Sequence, residues 1–220
     1  MILEKKSAPV SQQIARLLLR SQAVALRPTA PFRFASGLLS PIYCDNRLLI
    51  SLPRERRLIA RRFAELVRGL ALPVDVVAGT ATAGIPHAAW LAEALRLPMV
   101  YVRSQSKGHG KEQLVEGRLA AGQRTIVVED LVTTGGSSLG SVAALRQAGA
   151  VVEHVLAIFT YAFPATHEAF AHHGVRLHAL TTLPVLLEVA VANRSLAPAE
   201  RDMVVEWAGD PSGWSQRHEP

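Results

Sequence analysis

Residues able to do chemistry are concentrated in Thr125-Ile126-Val127-Val128-Glu129-Asp130-Leu131-Val132-Thr133-Thr134-Gly135-Gly136-Ser137-Ser138. An apolar run fixes an extended backbone, two adjacent carboxylates stand where the strand would end, and a Thr/Gly/Ser turn leads into a helix. Ligands of parallel sheets collect at that carboxyl edge. Gly135 and Gly136 let the backbone turn and approach a ligand, and the amide N–H groups of the following helix point at whatever lies before it. The hydroxyls of Thr133, Thr134, Ser137 and Ser138 add donors, so a phosphate dianion could exchange its hydration for fixed hydrogen bonds. Glu129 and Asp130 can accept from vicinal ribose hydroxyls, close to a sugar that becomes cationic as its glycosidic bond breaks. Ribose 5-phosphate suits this placement. A capped strand-to-helix turn would account for Thr-Thr-Gly-Gly-Ser alone, but it has no need of two carboxylates after an apolar run. No Gly-Lys-Ser/Thr ending follows, which argues against a nucleotide P-loop.

A second polar stretch runs from Arg103 to Gly117 directly after the apolar run Met99-Val100-Tyr101-Val102. Gly108, Gly110 and Gly117 punctuate Lys107, His109, Lys111, Glu112 and Glu116. A cationic, glycine-punctuated loop can close over an anion, exclude water and protect a cation-like intermediate from hydrolysis. Arg103 and Lys107 would neutralise a leaving anion, and His109 could bind or protonate it near neutral pH. An exposed Lys/Gly surface turn is the plain alternative. His172, His173 and His87 read as polar residues at helix ends, and Cys44 as a small buried side chain with no basic partner beside it.

The elements that must position these groups alternate between short β-branched runs and amphipathic segments, the pattern of an α/β protein with a parallel sheet flanked by helices. Strands are expected at 75–78, 99–102, 125–128, 155–158 and 176–180, with crossover helices at 85–95 and 139–147. Before residue 72 the pattern gives helices near Ser11 to Leu26 and Pro53 to Ala71, separated by the irregular stretch Arg27 to Ile50, a candidate hood. The expected organisation is one domain over 1–220: helices and hood to 71, core sheet over 72–185, then C-terminal helices and a tail. Pro211 to Pro220 reads as a loosely held terminus.

The chain has 220 residues, 49% of them hydrophobic, and a formal charge of +6. That is enough to bury a full core. Much of the positive charge lies at Arg54, Arg56, Arg57, Arg61, Arg62 and Arg68, on a helix whose opposite face carries Ile59, Phe63, Leu66 and Leu70; a solvated face explains it better than a nucleic-acid partner. The charged N-terminus and the lack of a long apolar run exclude a signal peptide and a membrane span, and a single cysteine fits a reducing compartment, so the expectation is a cytoplasmic protein without a cysteine-based metal site.

The 125–138 segment resembles the signature of the type I phosphoribosyltransferases, which bind phosphoribosyl pyrophosphate (PRPP). Three further stretches resemble the orotate branch of that family: 34–47, from Phe34-Ala35-Ser36-Gly37 to Tyr43-Cys44-Asp45-Asn46-Arg47; Gly79-Thr80-Ala81-Thr82-Ala83-Gly84-Ile85-Pro86; and 101–111. Together they span about 31 to 160. The resemblance implies that Glu129 and Asp130 hold the ribose hydroxyls, that Thr133 through Ser137 cradle the 5′-phosphate, and that Leu131 and Val132 belong to the same PRPP-binding segment. Thr133 would also lie close to the pyrimidine. Arg103, Lys107 and His109 would meet pyrophosphate, with Lys107, His109 and Asp130 as the catalytic residues. Gly79–Gly84 resembles the pyrophosphate loop, with a non-proline cis peptide at Ala81-Thr82, and Ser36, Gly37, Tyr43 and Cys44 belong to a hood over orotate. The family further implies Mg²⁺ and a homodimer whose loop reaches the neighbouring subunit's site. Ala35, Thr82, Ala83, Ser104 and Tyr161 stand where many members carry lysine, tyrosine, lysine, a second basic residue and arginine. A phosphoribosyltransferase for another base, or a PRPP-binding regulator without catalysis, are the competing functions.

Overall fold

The computed structural model describes residues 4–104 and 114–219. Its N-terminal part comprises α1 (Glu4–Arg20), β1 (Val24–Leu26), β2 (Phe32–Arg33), β3 (Leu39–Ser40), β4 (Ile42–Cys44), a 3-10 helix (Asn46–Ser51) and α2 (Pro53–Gly69). Then follow β5 (Val76–Thr80), α3 (Gly84–Leu95), β6 (Met99–Val102), β7 (Val115–Glu116), β8 (Arg124–Val132), α4 (Gly136–Gln147), β9 (Val151–Thr160), α5 (Pro164–His172), β10 (Arg176–Thr182), α6 (Leu183–Ala192), α7 (Pro198–Gly209) and α8 (Pro211–Arg217). Among these described residues no helix is long and apolar enough to cross a membrane.

The main sheet has six strands in the order β10-β9-β8-β5-β6-β7, parallel except for β7, which runs antiparallel to β6. Its central strands are apolar on both faces, and alternation divides them between two layers. Val77, Ile126, Val128 and Leu156 face a cluster with Ile14 and Leu18 of α1, Phe63 of α2 and Leu91 of α3. Val76, Val127 and Val155 face Val142 and Leu145 of α4 and Phe170 of α5. A strand covered on both sides has no use for polar alternation, which is why these runs read as continuous β-branched segments. Each fully buried Val, Ile or Leu contributes about 1.5–3 kcal/mol from removal of apolar surface from water.

The expected strands and crossover helices are present, and three differences concern the ends of the chain. The helix expected to run to Leu26 stops at Arg20: the Ser21 hydroxyl donates back to the Leu17 carbonyl (2.8 Å), Gln22 takes a φ of 56°, and Val24–Leu26 pairs with Ile42–Cys44 as a strand. The stretch 27–50 is not irregular throughout, because β1 pairs with β4 and β2 with β3. The tail read as loosely held is instead α8, capped by Asp210 accepting from the Gly213 amide (2.9 Å), with Trp214 fully buried and Ser215 Oγ accepting from the Leu39 amide (2.8 Å). One large aromatic residue docks this helix against β3, although the surrounding Pro, Ser and Gly have loop composition.

Candidate active site

The chain passes from β5 through α3 to β6 on one side, then returns across β5 to place β8 on its other side. The connections after β5 and β8 therefore diverge: α3 lies on the face holding Ala88 and Leu91, α4 on the face holding Val142 and Leu145. Such a switch point leaves a crevice at the carboxyl ends of the two strands. The crevice is present as a cavity of about 240 Å³ whose lining includes Thr80, Ala81, Arg103, Ser104, Gly136 and Ser137. The Ala81–Thr82 peptide within it is cis, as the resemblance implies.

Glu129 and Asp130 occupy the end of β8. Glu129 is buried (5% exposed), its carboxylate accepting from the Asp130 amide (3.1 Å) and, through the other oxygen, from the Ser138 hydroxyl (3.4 Å). Burial raises the proton affinity of both carboxyls, and the neighbouring charge of Asp130 raises that of Glu129 further. Two close carboxylates cannot both ionise cheaply in such a place. A ligand that donates hydroxyls to them, or develops positive charge beside them, shifts that balance toward the ionised pair.

The Thr/Gly/Ser turn follows. Gly135 has a φ of 91°, a conformation that favours glycine, and a Cβ there would lie 2.5 Å from the Phe170 ring. The Thr133 carbonyl accepts from Thr166 Oγ1 at 2.6 Å, so α5 pins the turn from outside. Thr133, Thr134, Gly136 and Ser137 are exposed, and among the described residues the hydroxyls of Thr133, Thr134 and Ser137 take no protein hydrogen bond. Leu131 and Val132 can offer a ligand only their backbone, since their side chains pack into the two apolar clusters. Arg103 is half-buried at the crevice, its guanidinium 3.7 Å from the Glu116 carboxylate. Lys107 and His109 lie outside the described residues.

The hood is brought to this edge unevenly. Cys44, at the end of β4, has its thiol pushed far up by burial and by the nearby charges of Asp130 and Asp45, which leaves it a neutral packing group. Tyr43 is exposed, with its ring near Phe32 (5.6 Å) and Phe34 (6.2 Å). Ser36 and Gly37 lie at the exposed tip between β2 and β3, and no hydrogen bond or ion pair among the described residues links them to the β8 edge. Three contributors were not legible as such in the sequence. Asn46 donates to the Asp130 carbonyl (2.8 Å), Thr166 holds the Thr/Gly/Ser turn, and Tyr161, stacked on Phe163 at 5.3 Å, lies close enough to Cys44 and Tyr43 for their charges to act on its phenol. None carries a spacing signal; Asn46 fell within the recognisable hood stretch, and Tyr161 stood out only as a residue where many members of the family carry arginine. His87 is buried on α3 with its imidazole proton affinity pushed down to about 4 by burial, and it has no place among the crevice-lining residues.

Comparison with known proteins identifies the family and the fold. Residues 49–167 match the phosphoribosyl transferase domain family. The orotate phosphoribosyltransferase of Coxiella burnetii is 46% identical over 202 residues, covering 92% of this chain and 97% of its own. Among solved structures, the orotate phosphoribosyltransferase of Aeropyrum pernix superposes with a TM-score of 0.70 at 35% identity, over 80% of this chain and 96% of that one. The Mycobacterium tuberculosis orotate phosphoribosyltransferase in complex with PRPP gives 0.64 at 28% identity, over 81% and 99%. An acidic pair followed by a Thr/Gly/Ser turn at a switch point of the sheet, in a chain this similar along nearly its whole length, makes it a member of the orotate phosphoribosyltransferase family.

Proposed function

We propose that this chain transfers the 5-phosphoribosyl group of PRPP to orotate, giving orotidine 5′-monophosphate and pyrophosphate in the synthesis of UMP, as a cytoplasmic single-domain enzyme. The observation that carries this reading is the Glu129–Asp130 pair near the end of β8, immediately before a turn whose Thr133, Thr134 and Ser137 hydroxyls take no protein hydrogen bond among the described residues and can take a phosphate. Glu129 and Asp130 hold the ribose hydroxyls, the 133–137 turn takes the 5′-phosphate, and 79–84 with Arg103 takes pyrophosphate. Bond breaking at the anomeric carbon leads the transfer, and the carboxylates offset the charge that develops on the sugar. The ring nitrogen of orotate is already acidic, so no dedicated general base is assigned. Tyr43, Cys44, Ser36 and Gly37 cover the pyrimidine.

Among the described residues no group of three or more His, Cys, Asp or Glu stands together as a metal cage. A paired carboxylate edge beside phosphate oxygens fits Mg²⁺, which keeps waters and takes substrate oxygens. When bound, Mg²⁺ neutralises pyrophosphate as it leaves. Mixing the protein with PRPP, Mg²⁺ and orotate should consume orotate absorbance, and omitting PRPP or adding EDTA should stop it. Faster turnover of adenine or uracil than of orotate would assign the chain to another base, and no turnover with any base would leave the regulator reading.

The family resemblance also supports a homodimer whose site combines one subunit's carboxylate pair with the other's Lys107–His109 loop. Lys107→Ala and Asp130→Asn dimers should then each be nearly inactive. Random exchange makes half of the dimers hybrids, each with one intact site, so about a quarter of all sites should recover. Absence of recovery, with hybrids verified by mass spectrometry, would place the loop within its own subunit.

A further inference from the structure

The two carboxylates sit on a stretch of β8 that the sheet supports on one side only. The β5–β8 ladder ends at Gly79↔Val128, while the β8–β9 ladder continues to Val132↔Thr160. From Glu129 onward, β5 no longer offers hydrogen bonds to fix the peptide planes, at the residues whose side chains must aim at a ligand. Into this stretch comes one side chain from far away in the sequence. Asn46, 1% exposed, donates through Nδ2 to the Asp130 carbonyl at 2.8 Å.

The donor stands on a fixed platform. Asp45 accepts the Arg47 amide at the start of the 3-10 helix and forms a fork with the Arg47 guanidinium (2.6 and 2.8 Å), while its own amide donates to the Ala23 carbonyl at 2.7 Å. The other half of the same amide is spent on nothing: Asn46 Oδ1 is buried and, among the described residues, has no partner. An unpaired buried acceptor is unfavourable, and a residue such as leucine would fill the space without it. The sequence therefore keeps a costly amide for its donor.

We infer that Asn46 is a positioning residue, which replaces the missing ladder bond of β8, holds the Glu129–Asp130 pair in its ligand-binding orientation and ties that pair to the hood. The inference rests on the reading of the pair as the ribose ligand. Asn46 would act through the Asp130 peptide and touch no substrate. The charged and titratable groups around it are Cys44, Asp45 and Arg47 on its own segment and Glu129 and Asp130 on β8.

Two variants separate positioning from simple architecture. Asn46→Leu keeps the volume and removes the donor; kcat/KM for PRPP should fall by about 10–100-fold, by analogy with groups that orient metal-ligating side chains, at temperatures where circular dichroism shows a folded protein. Asn46→Asp keeps the shape and makes the donor titratable. At pH 5.5 the introduced carboxyl, buried beside Asp45 and Asp130, is protonated and can donate to the Asp130 carbonyl. By pH 8.5 it is ionised and cannot. Its kcat/KM relative to the unsubstituted protein should therefore drop at least about tenfold across that interval. A flat ratio across pH, or Asn46→Leu activity within about twofold of the parent, overturns the inference. So does an Asn46→Asp protein that folds at neither pH, since it would make the amide a requirement of the architecture. If Asp130→Asn abolishes turnover while the Asn46 variants keep it, only this inference fails; full turnover in Asp130→Asn removes the reading beneath it.

Discussion

Asp130→Asn is expected to lower turnover by about 10²–10³-fold, the scale found when one preorganised electrostatic contact to a developing charge is removed, while the protein stays folded. Asparagine keeps the shape of the side chain and loses the negative charge that the sugar needs as its glycosidic bond breaks. Stability should move the other way. The Asp130 carboxyl is raised above its ordinary value of 3.8, chiefly by burial. A group that holds its proton more tightly folded than unfolded costs stability as pH rises above the unfolded value, and costs nothing below it. The variant should therefore melt with the parent near pH 3.5 and at or above it at pH 7–8. Each 1 kcal/mol relieved is worth about 2–4 °C in a chain of this size. Steady-state rates with calorimetry at both pH values test the pair of claims. Unchanged turnover would show that the charge is not used, and a variant that fails to fold would make Asp130 part of the scaffold.

Opposite movement of activity and stability is what distinguishes a site from a core, and it also explains what could be read from the sequence. The five main strands and the carboxylate–turn segment were legible because they are local: an apolar run, two acids and a Thr/Gly/Ser turn state their chemistry in consecutive residues. Topology then decides which local features meet. Glu129 and Gly79 are 50 positions apart, yet their strands are neighbours because β8 crosses back over β5. The contacts that hold the site are less legible still. Asn46 reaches the Asp130 carbonyl across 84 positions, and Thr166 reaches the Thr133 carbonyl across 33. A single amide or hydroxyl has no period to reveal it. The tail misled for a related reason: composition over 211–220 resembles a loop, whereas burial of Trp214 and the Leu39–Ser215 hydrogen bond make 211–217 a helix that braces β3.

The second large effect expected is from Gly84→Ala, and it depends on close approach instead of charge. At Gly84 the first turn of α3 rests directly on β8: a Cβ there would overlap the Val128 carbonyl oxygen and stand 3.4 Å from Glu129 Cα. Neither side can give easily, for Val128 lies fully buried in the middle of the sheet and paired with both Gly79 and Leu156. The helix start must move away, taking with it the 79–84 loop that forms one wall of the crevice. Overpacking of this kind costs about 1–3 kcal/mol, equivalent to a melting temperature lower by roughly 2–12 °C. A displacement of about 1 Å at a substrate-positioning loop costs about 10²-fold in rate, and the loss should appear in kcat/KM for PRPP before it appears for orotate at saturating PRPP. Gly69→Ala is the matching control, because a Cβ at Gly69 meets nothing within 4 Å. Two glycines near helix ends thus receive the same methyl group, and only the one lying on the β8 backbone should lose activity. Equal melting temperatures and equal kcat/KM for the two variants would mean that α3 can shift without disturbing the crevice, and that the 79–84 loop is not held in register with the carboxylate pair.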